Sequence, residues 1–361
     1  MNKTSQIHAV SDPSLRHRVS VTLLVTVLAI AIVYLFFSMP QAVGHSPLAS
    51  GENESLETAA TIPEPAKSWA IYAELHEGRE AQYYRFNITQ GERIYIMLLK
   101  STRSEEEEFM PIMILTGPGL PGPTDVPDYV EIPPEAGALA AESEQPAEAT
   151  YEPFSPSSFY SLAKIDRDAP ATGTYYIAVH ELVQGGHYGL AVGYIESYTL
   201  TEWLLIPLNL IPVYQWDGQN LALIFAPLMA TIVIGLCLIW WVGFRKTPWT
   251  AFDLTATLAG LLFMGSGVSI LFQMTLALAK TSIVTEVVLT LVFAAMPIIL
   301  GAATLRLVLK RKGTVNTRLR IYMVILGIAA LFAWAGLLIG PALALITSIL
   351  PSQAITQEER K

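Results

Sequence analysis

Five stretches of the chain stay apolar for about 20 residues or more: 20–38, 220–244, 251–278, 283–309 and 321–350. A helix of that length crosses roughly 30 Å of hydrocarbon, so each is expected to span a membrane. Between the first and the second the pattern changes period. Tyr84, Phe86 and Ile88 alternate with Tyr83, Arg85 and Asn87, the two-residue repeat of a strand with one buried face. Thr89-Gln90-Gly91-Glu92 reads as a turn, residues 94–99 as an apolar strand covered on both faces, and 110–115 as a third strand ended by Gly117-Pro118-Gly119. Residues 174–182 and 188–194 flank Gln184-Gly185-Gly186-His187, a hairpin signal. Short strands with Gly-rich turns point to an antiparallel β-sandwich, and the whole chain to an α+β membrane protein with a transmembrane helical bundle.

Basic residues set the expected orientation, because they stay on the cytoplasmic side. Arg16, Arg18, Arg245, Lys246, Lys310, Arg311, Lys312, Arg318 and Arg320 share one side, while the opposite loop at 279–282 holds only Lys280. The reading is therefore a cytoplasmic segment 1–19, a signal anchor 20–38, an extracellular domain 45–200 and an interfacial connector 201–218. A four-helix bundle 220–350 and an external tail 351–361 follow, with the plasma membrane as location. Ala42-Val43-Gly44 would also serve as a cleavage site, but the first apolar run exceeds the roughly 7–15 residues of a signal peptide. Trp240, Trp241 and Trp249 suit an inner aromatic belt, and Trp203, Tyr214 and Trp216 an outer one.

Composition sharpens this picture. Of the 361 residues 52% are hydrophobic and 15% charged, with a mean hydropathy of +0.43, whereas a soluble domain carries about 25% charged residues. Residues 45–200 contain 24 of the 31 acidic and 8 of the 22 basic residues, so the domain is strongly acidic and the rest basic. An acidic domain repels phosphate, which argues against a nucleic-acid partner. One cysteine, Cys237, excludes a disulfide framework and a Cys-based metal site, and the absence of histidine after His187 excludes axial His ligation of haem in the bundle.

The spans offer little chemistry. Thr250-x-x-Asp253 resembles a helix-capping box, and Glu286 opens its span in the same way. Ser266, between Gly265 and Gly267, has no histidine or lysine in its span to act as base. Gly336-x-x-x-Gly340 is a helix-contact pair that admits another helix. Pro227, Pro297 and Pro341 are expected to kink their spans, and the 321–350 run is long enough to tilt or to break at Pro341.

The segments AQYYRFNITQGERIYIMLL, FMPIMILTGPG and TGTYYIAVHELVQGGHYGLAVG together resemble the pre-peptidase C-terminal domain family. The matching positions are Tyr84, Phe86, Gly91 and Glu92, then Gly117 to Gly119, then Thr172, Gly173, Tyr175, Tyr176, Gly186 and Tyr188. The resemblance covers roughly residues 53–194 and none of the last four spans. It implies a jelly-roll-like accessory module that binds or stabilises, without catalytic residues. The departure is a long stretch at 117–157 where that family has a short connection. It holds nine of the 23 prolines and many Ala and Glu, and reads as a mobile acidic insert.

Candidate sites in this domain are sparse. Asp166 and Asp168 could offer calcium oxygens, as some relatives of the domain type bind calcium, although no typical calcium loop surrounds them. Otherwise no cofactor is expected. His180, Glu181 and His187 lack metal-finger spacing and read as hydrogen-bonding surface residues at a turn, and the Glu105 to Glu108 run as a solvated turn. Asn53-Glu54-Ser55 and Asn87-Ile88-Thr89 are glycosylation sequons on the outer side.

The chain as a whole reads as a non-enzymatic binding or assembly protein. It presents a sandwich to an envelope protein, a glycan or a membrane-protein partner, with lipid around its helices. The alternative is a transporter or channel subunit for a neutral solute. An intramembrane enzyme fails for want of a nucleophile–base or metal constellation in the spans.

Overall fold

The computed structural model describes residues 45–122, 126–243, 249–311 and 314–351. The expected span at 20–38, its cleavage site, Arg245, Lys246, Lys312 and residues 352–361 lie outside the described residues. The described chain divides into two compact units, one of residues 45–231 and 265–295, the other of 232–264 and 296–351.

The first unit contains eleven strands: β1 (Ser46–Pro47), β2 (Ala60–Thr61), β3 (Trp69–Leu75), β4 (Ala81–Ile88), β5 (Arg93–Ser101), β6 (Ile112–Gly117), β7 (Gly137–Ala141), β8 (Thr150–Glu152), β9 (Ser157–Asp168), β10 (Gly173–His180) and β11 (Gly186–Val192). They form a six-stranded sheet ordered β1-β3-β11-β5-β9-β8 and a five-stranded sheet ordered β2-β4-β10-β6-β7. All pairings are antiparallel except the short β1–β3 and β2–β4 ladders. The two-residue period sorts the side chains. Tyr84, Phe86 and Ile88 of β4 point into one core with Ile94, Ile96 and Leu98 of β5, Tyr175 and Ile177 of β10, and Tyr188 and Leu190 of β11. Polar tips in that core are paired: the Tyr84 and Tyr188 hydroxyls lie 2.6 Å apart, and Tyr188 donates to Gln82 Oε1 at 2.7 Å.

The stretch at 117–157 corrects the expectation of a mobile insert. It supplies β7 and β8, and residues before β7 cover the outer face of the five-stranded sheet. Val130 and Ala138 pack there on Tyr83, Ile114 and Ala178, with Tyr129 and Ile132 at the rim. The Glu131 N–H donates to Tyr83 Oη at 2.7 Å, and Ala138 N to Pro121 O at 2.8 Å. Tyr83 is thus a second core residue on what the strand pattern makes an outward face. Few apolar residues suffice here because the sheet below already provides most of the surface they cover.

The expected connector is a helix, α1 (Leu200–Trp216). Its N-terminus is a complete capping box: Glu202 N donates to Thr199 Oγ1 at 3.2 Å and Thr199 N to Glu202 Oε2 at 2.7 Å. The last carbonyls are satisfied by Arg103, whose Nε donates to Trp216 O at 2.8 Å and Nη2 to Gln215 O at 2.6 Å. Pro207 and Pro212 each remove a helix hydrogen bond, and burial of Trp203, Ile206, Val213, Tyr214 and Trp216 offsets that loss.

The helices α2 (Leu221–Gly243), α3 (Ala251–Leu278) and α4 (Val287–Leu309) each contain a segment long and apolar enough to cross a membrane. In the second unit, α5 (Thr317–Phe332) and α6 (Ile339–Ile349) replace the single long span expected at 321–350. The break precedes Pro341. Trp334, Gly336, Leu337 and Leu338 all have positive φ, between 52° and 82°, which turns the chain out of the helix. Pro341 is the third residue of α6, where the missing N–H has no helical acceptor to lose. The core of this unit is built from Phe252, Ala256, Phe263, Leu300, Met323, Leu326 and Ala344. Gly260 and Gly301 let α3 and α4 touch, since a Cβ on Gly301 would lie 2.5 Å from Gly260 O.

Candidate functional site

A cleft lies on the outer face of the six-stranded sheet, under α1. Its floor follows from two cross-strand rows. Ala70 of β3, Ala191 of β11 and Met97 of β5 are in register, and so are Tyr72, Gly189 and Leu99. The middle strand thus presents only Gly189, between Tyr72 and Leu99, and Ala191, between Ala70 and Met97, leaving a trough. Ile206, Asn209, Leu210 and Val213, at i, i+3, i+4 and i+7 on α1, roof the trough. His45 and Pro47 close one side, and Glu152, Phe154, Ser155 and Phe159 the other. The cleft is partly open, with a cavity volume of about 60 Å³, enough for several waters.

One wall carries the only acid of this lining. Glu152 ends β8, and its Oε1 accepts from Phe154 N at 3.0 Å. It keeps some surface towards the cleft, yet protein crowds it on all other sides. Burial pushes its carboxyl up to about 7; the Phe154 N–H opposes that shift and Glu196 adds to it. Among the described residues no basic side chain forms an ion pair with Glu152. His45 is held below its ordinary value by burial, so it brings no charge at neutral pH. Burial raises Tyr72, Tyr151 and Tyr198, so these neighbours also stay neutral.

A stability prediction follows from the raised carboxyl. The folded state holds the Glu152 proton more tightly than the unfolded chain, so this residue's contribution declines as pH rises from about 4.5 to about 7 and is then level. Glu152→Gln, which mimics the protonated form, is expected to raise the melting temperature above about pH 7 and to match the parent near pH 4. Thermal unfolding of the full chain across that range measures the gap; a gap that widens on acidification contradicts the assignment.

The helices are tied to the sandwich around this cleft, within the same unit. Trp216 Nε1 donates to Tyr188 O at 2.9 Å, and its ring meets Tyr72 edge-on at 5.1 Å. Lys280 Nζ bridges Thr102 Oγ1 at 2.9 Å and Asp217 at 3.1 Å. The Tyr151 and Thr290 hydroxyls are 2.7 Å apart, and Thr290 donates to Pro153 O at 2.7 Å.

The residues singled out in the sequence lie elsewhere. Asp166 takes a bidentate contact from Arg93, 2.7 and 2.9 Å, and a third from Lys164 at 3.0 Å. Arg93 and then Lys164 hold its carboxyl well below the usual range. A calcium ion would have to displace that guanidinium. Asp168 is exposed at the end of β9, and among the described residues no group of three His, Cys, Asp or Glu side chains is placed to hold a metal ion. Asn53 is 2% exposed and its Nδ2 donates to Tyr83 O at 3.1 Å; a sugar there would break this contact. Asn87 is exposed, accepting from Thr174 at 2.7 Å.

Two other expectations are corrected by packing. His180 is buried, its Nδ1 3.0 Å from Tyr129 Oη, rather than a surface residue. Glu106 is bound, not solvated: it accepts from His187 N at 2.9 Å and contacts His187 Nδ1 at 2.5 Å. Gly336 and Gly340 face Phe263 inside their own unit, where a Cβ on Gly340 would approach its ring to 2.8 Å. Asp253 completes the expected capping box with Thr250 and in addition pairs with Arg311 at 2.5 and 2.8 Å.

No protein-family model matches the sequence, and no curated protein matches it either. Among solved structures, the chain is similar to the pre-peptidase C-terminal domain of collagenase from Bacillus anthracis, with 17% identity and a TM-score of 0.22. The match covers 37% of this chain and 93% of that domain.

Proposed function

We propose that this protein works by contact: a non-enzymatic membrane protein that presents an extracellular β-sandwich to an envelope protein, glycan or membrane-protein partner. The observation that supports this most is the set of bonds fixing the sandwich to helices of its own unit, through Trp216, Arg103, Lys280 and Thr290. A domain held at several points offers a partner a preorganised surface and spares it the cost of ordering a tethered module. In this reading the N-terminus is cytoplasmic, as the basic residues around Arg311, Arg318 and Arg320 suggest. The protein sits in the plasma membrane and needs no cofactor.

The competing reading is passage of a neutral solute through the helices. Purified full-length protein in liposomes separates the two. Contact predicts no solute flux above that of empty vesicles, and reporter fusions place the 310–320 loop in the cytoplasm. A reproducible flux that persists without residues 45–200 overturns the contact reading.

A further inference from the structure

We propose that the cleft under α1 binds a small organic ammonium group, with Glu152 as counter-ion and Tyr72, Phe154 and Phe159 as its aromatic walls. The inference is independent of the partner-contact reading, because a ligand in this cleft requires no second protein.

Charge complementarity selects the ligand. Glu152 is the one acid of the lining, no lysine or arginine lines the cleft, and His45 is neutral there. An anion would be repelled, and a neutral apolar ligand would bring no polar group to the carboxyl, which would stay protonated. A bare divalent cation is poorly served: Glu152 is the one charged oxygen ligand, and beside it only Asn209, Ser155 and the Tyr72 hydroxyl carry side-chain oxygens in a lining that is otherwise largely carbon. An ammonium carrying methyl or methylene groups satisfies both features. Its charge meets the carboxylate, its carbon meets Leu99, Leu210 and Val213, and aromatic faces attract such cations.

The geometry makes binding and protonation compete. The groups that face Glu152 are Glu196 before α1, Tyr72 on β3, Tyr151 on β8 and Tyr198, with His45 beside β1 in the same lining. Glu196 disfavours a second charge until a cation arrives. The tyrosines stay neutral throughout, so Glu152 governs the pH response. A cation needs the ionised carboxylate, so affinity rises with pH through about 7 and then levels.

Choline is the probe, because its quaternary charge does not titrate, and dimethylbutanol is its neutral carbon isostere. Full-length protein in a maltoside detergent is titrated calorimetrically. Choline is expected to bind at about pH 8 and about tenfold or more weakly at about pH 5. Glu152→Gln is expected to lose binding by a similar factor while its melting temperature at about pH 8 is at or above that of the parent. Asn209→Phe, which fills the cleft and leaves the acid intact, is the second variant and should also lose binding. Dihexanoylphosphatidylcholine forms a further arm: tighter binding than choline assigns the group to a lipid headgroup, weaker binding to a free amine, and both uphold the ammonium chemistry. Equal binding of the neutral isostere, unchanged binding by Glu152→Gln, or no choline binding at any pH overturns the proposal.

Discussion

Trp216→Ala is expected to destabilise the first unit by about 3–5 kcal/mol, the cost of truncating a buried tryptophan that also makes a hydrogen bond. Trp216 is 6% exposed, donates to Tyr188 O, and sets its ring against Tyr72. Truncation removes the bond, opens a cavity beneath the end of α1, and leaves the Tyr188 carbonyl without that partner. Arg103 would lose the ordered helix end that it caps, because the carbonyls it binds belong to Gln215 and Trp216. Trp216→Phe keeps most of the volume and loses the N–H, so about 1 kcal/mol is expected. Denaturant unfolding of the full chain, followed in the near ultraviolet, measures both. A change below about 1 kcal/mol for the alanine variant would mean that α1 is not docked on the sheet.

Replacing residues 121–142 with a short Gly-Ser linker is expected to be comparably severe. Those residues provide β7, the edge partner of β6, together with Val130 and Ala138 over Tyr83 and Ile114. Uncovering two large apolar side chains costs about 1.5–3 kcal/mol each. The lost β6–β7 ladder adds to this, since Met113 to Gly117 pair there in sequence with Ala141 to Gly137. A domain of this size should lose on the order of 10 °C or more in melting temperature. An unchanged melting temperature would restore the reading of this stretch as a mobile spacer.

Legibility from the sequence varied with the kind of signal. The alternation through Tyr84, Phe86 and Ile88 located β4 and its inner face, and the unbroken apolar run of β5 marked a strand covered on both sides. Its second cover is α1, over Met97 and Leu99. That helix opens with the capping-box spacing Thr199-x-x-Glu202 and runs on through Pro207 and Pro212. The insert misled for a compositional reason. Proline and glutamate counts describe a segment alone and carry no information about an apolar sheet face waiting beneath it. Tyr83 on the nominally outward side of β4 was the sign of that face.

The cleft was harder still. Glu152 sits in Tyr151-Glu152-Pro153-Phe154, where an acid among aromatic residues hints at burial, and Gly189 and Ala191 are small positions in β11. Their meaning depends on the register that sets them between Tyr72 and Leu99 and between Ala70 and Met97. In the bundle, Gly336 and Gly340 matched a spacing rule, and they serve a turn and a close contact with Phe263 of α3. Gly260 and Gly301, on different helices, formed no motif and yet make the close crossing.

The central claim, function through contact by the sandwich, is tested most directly by photo-crosslinking in native membranes. Crosslinking residues are placed one at a time at exposed positions of the β domain, among them Val183 and Asn87. The account predicts a single recurrent adduct of constant mass from one face of the sandwich, absent from the other faces. Adducts scattered evenly over all faces, or none from any, would contradict it.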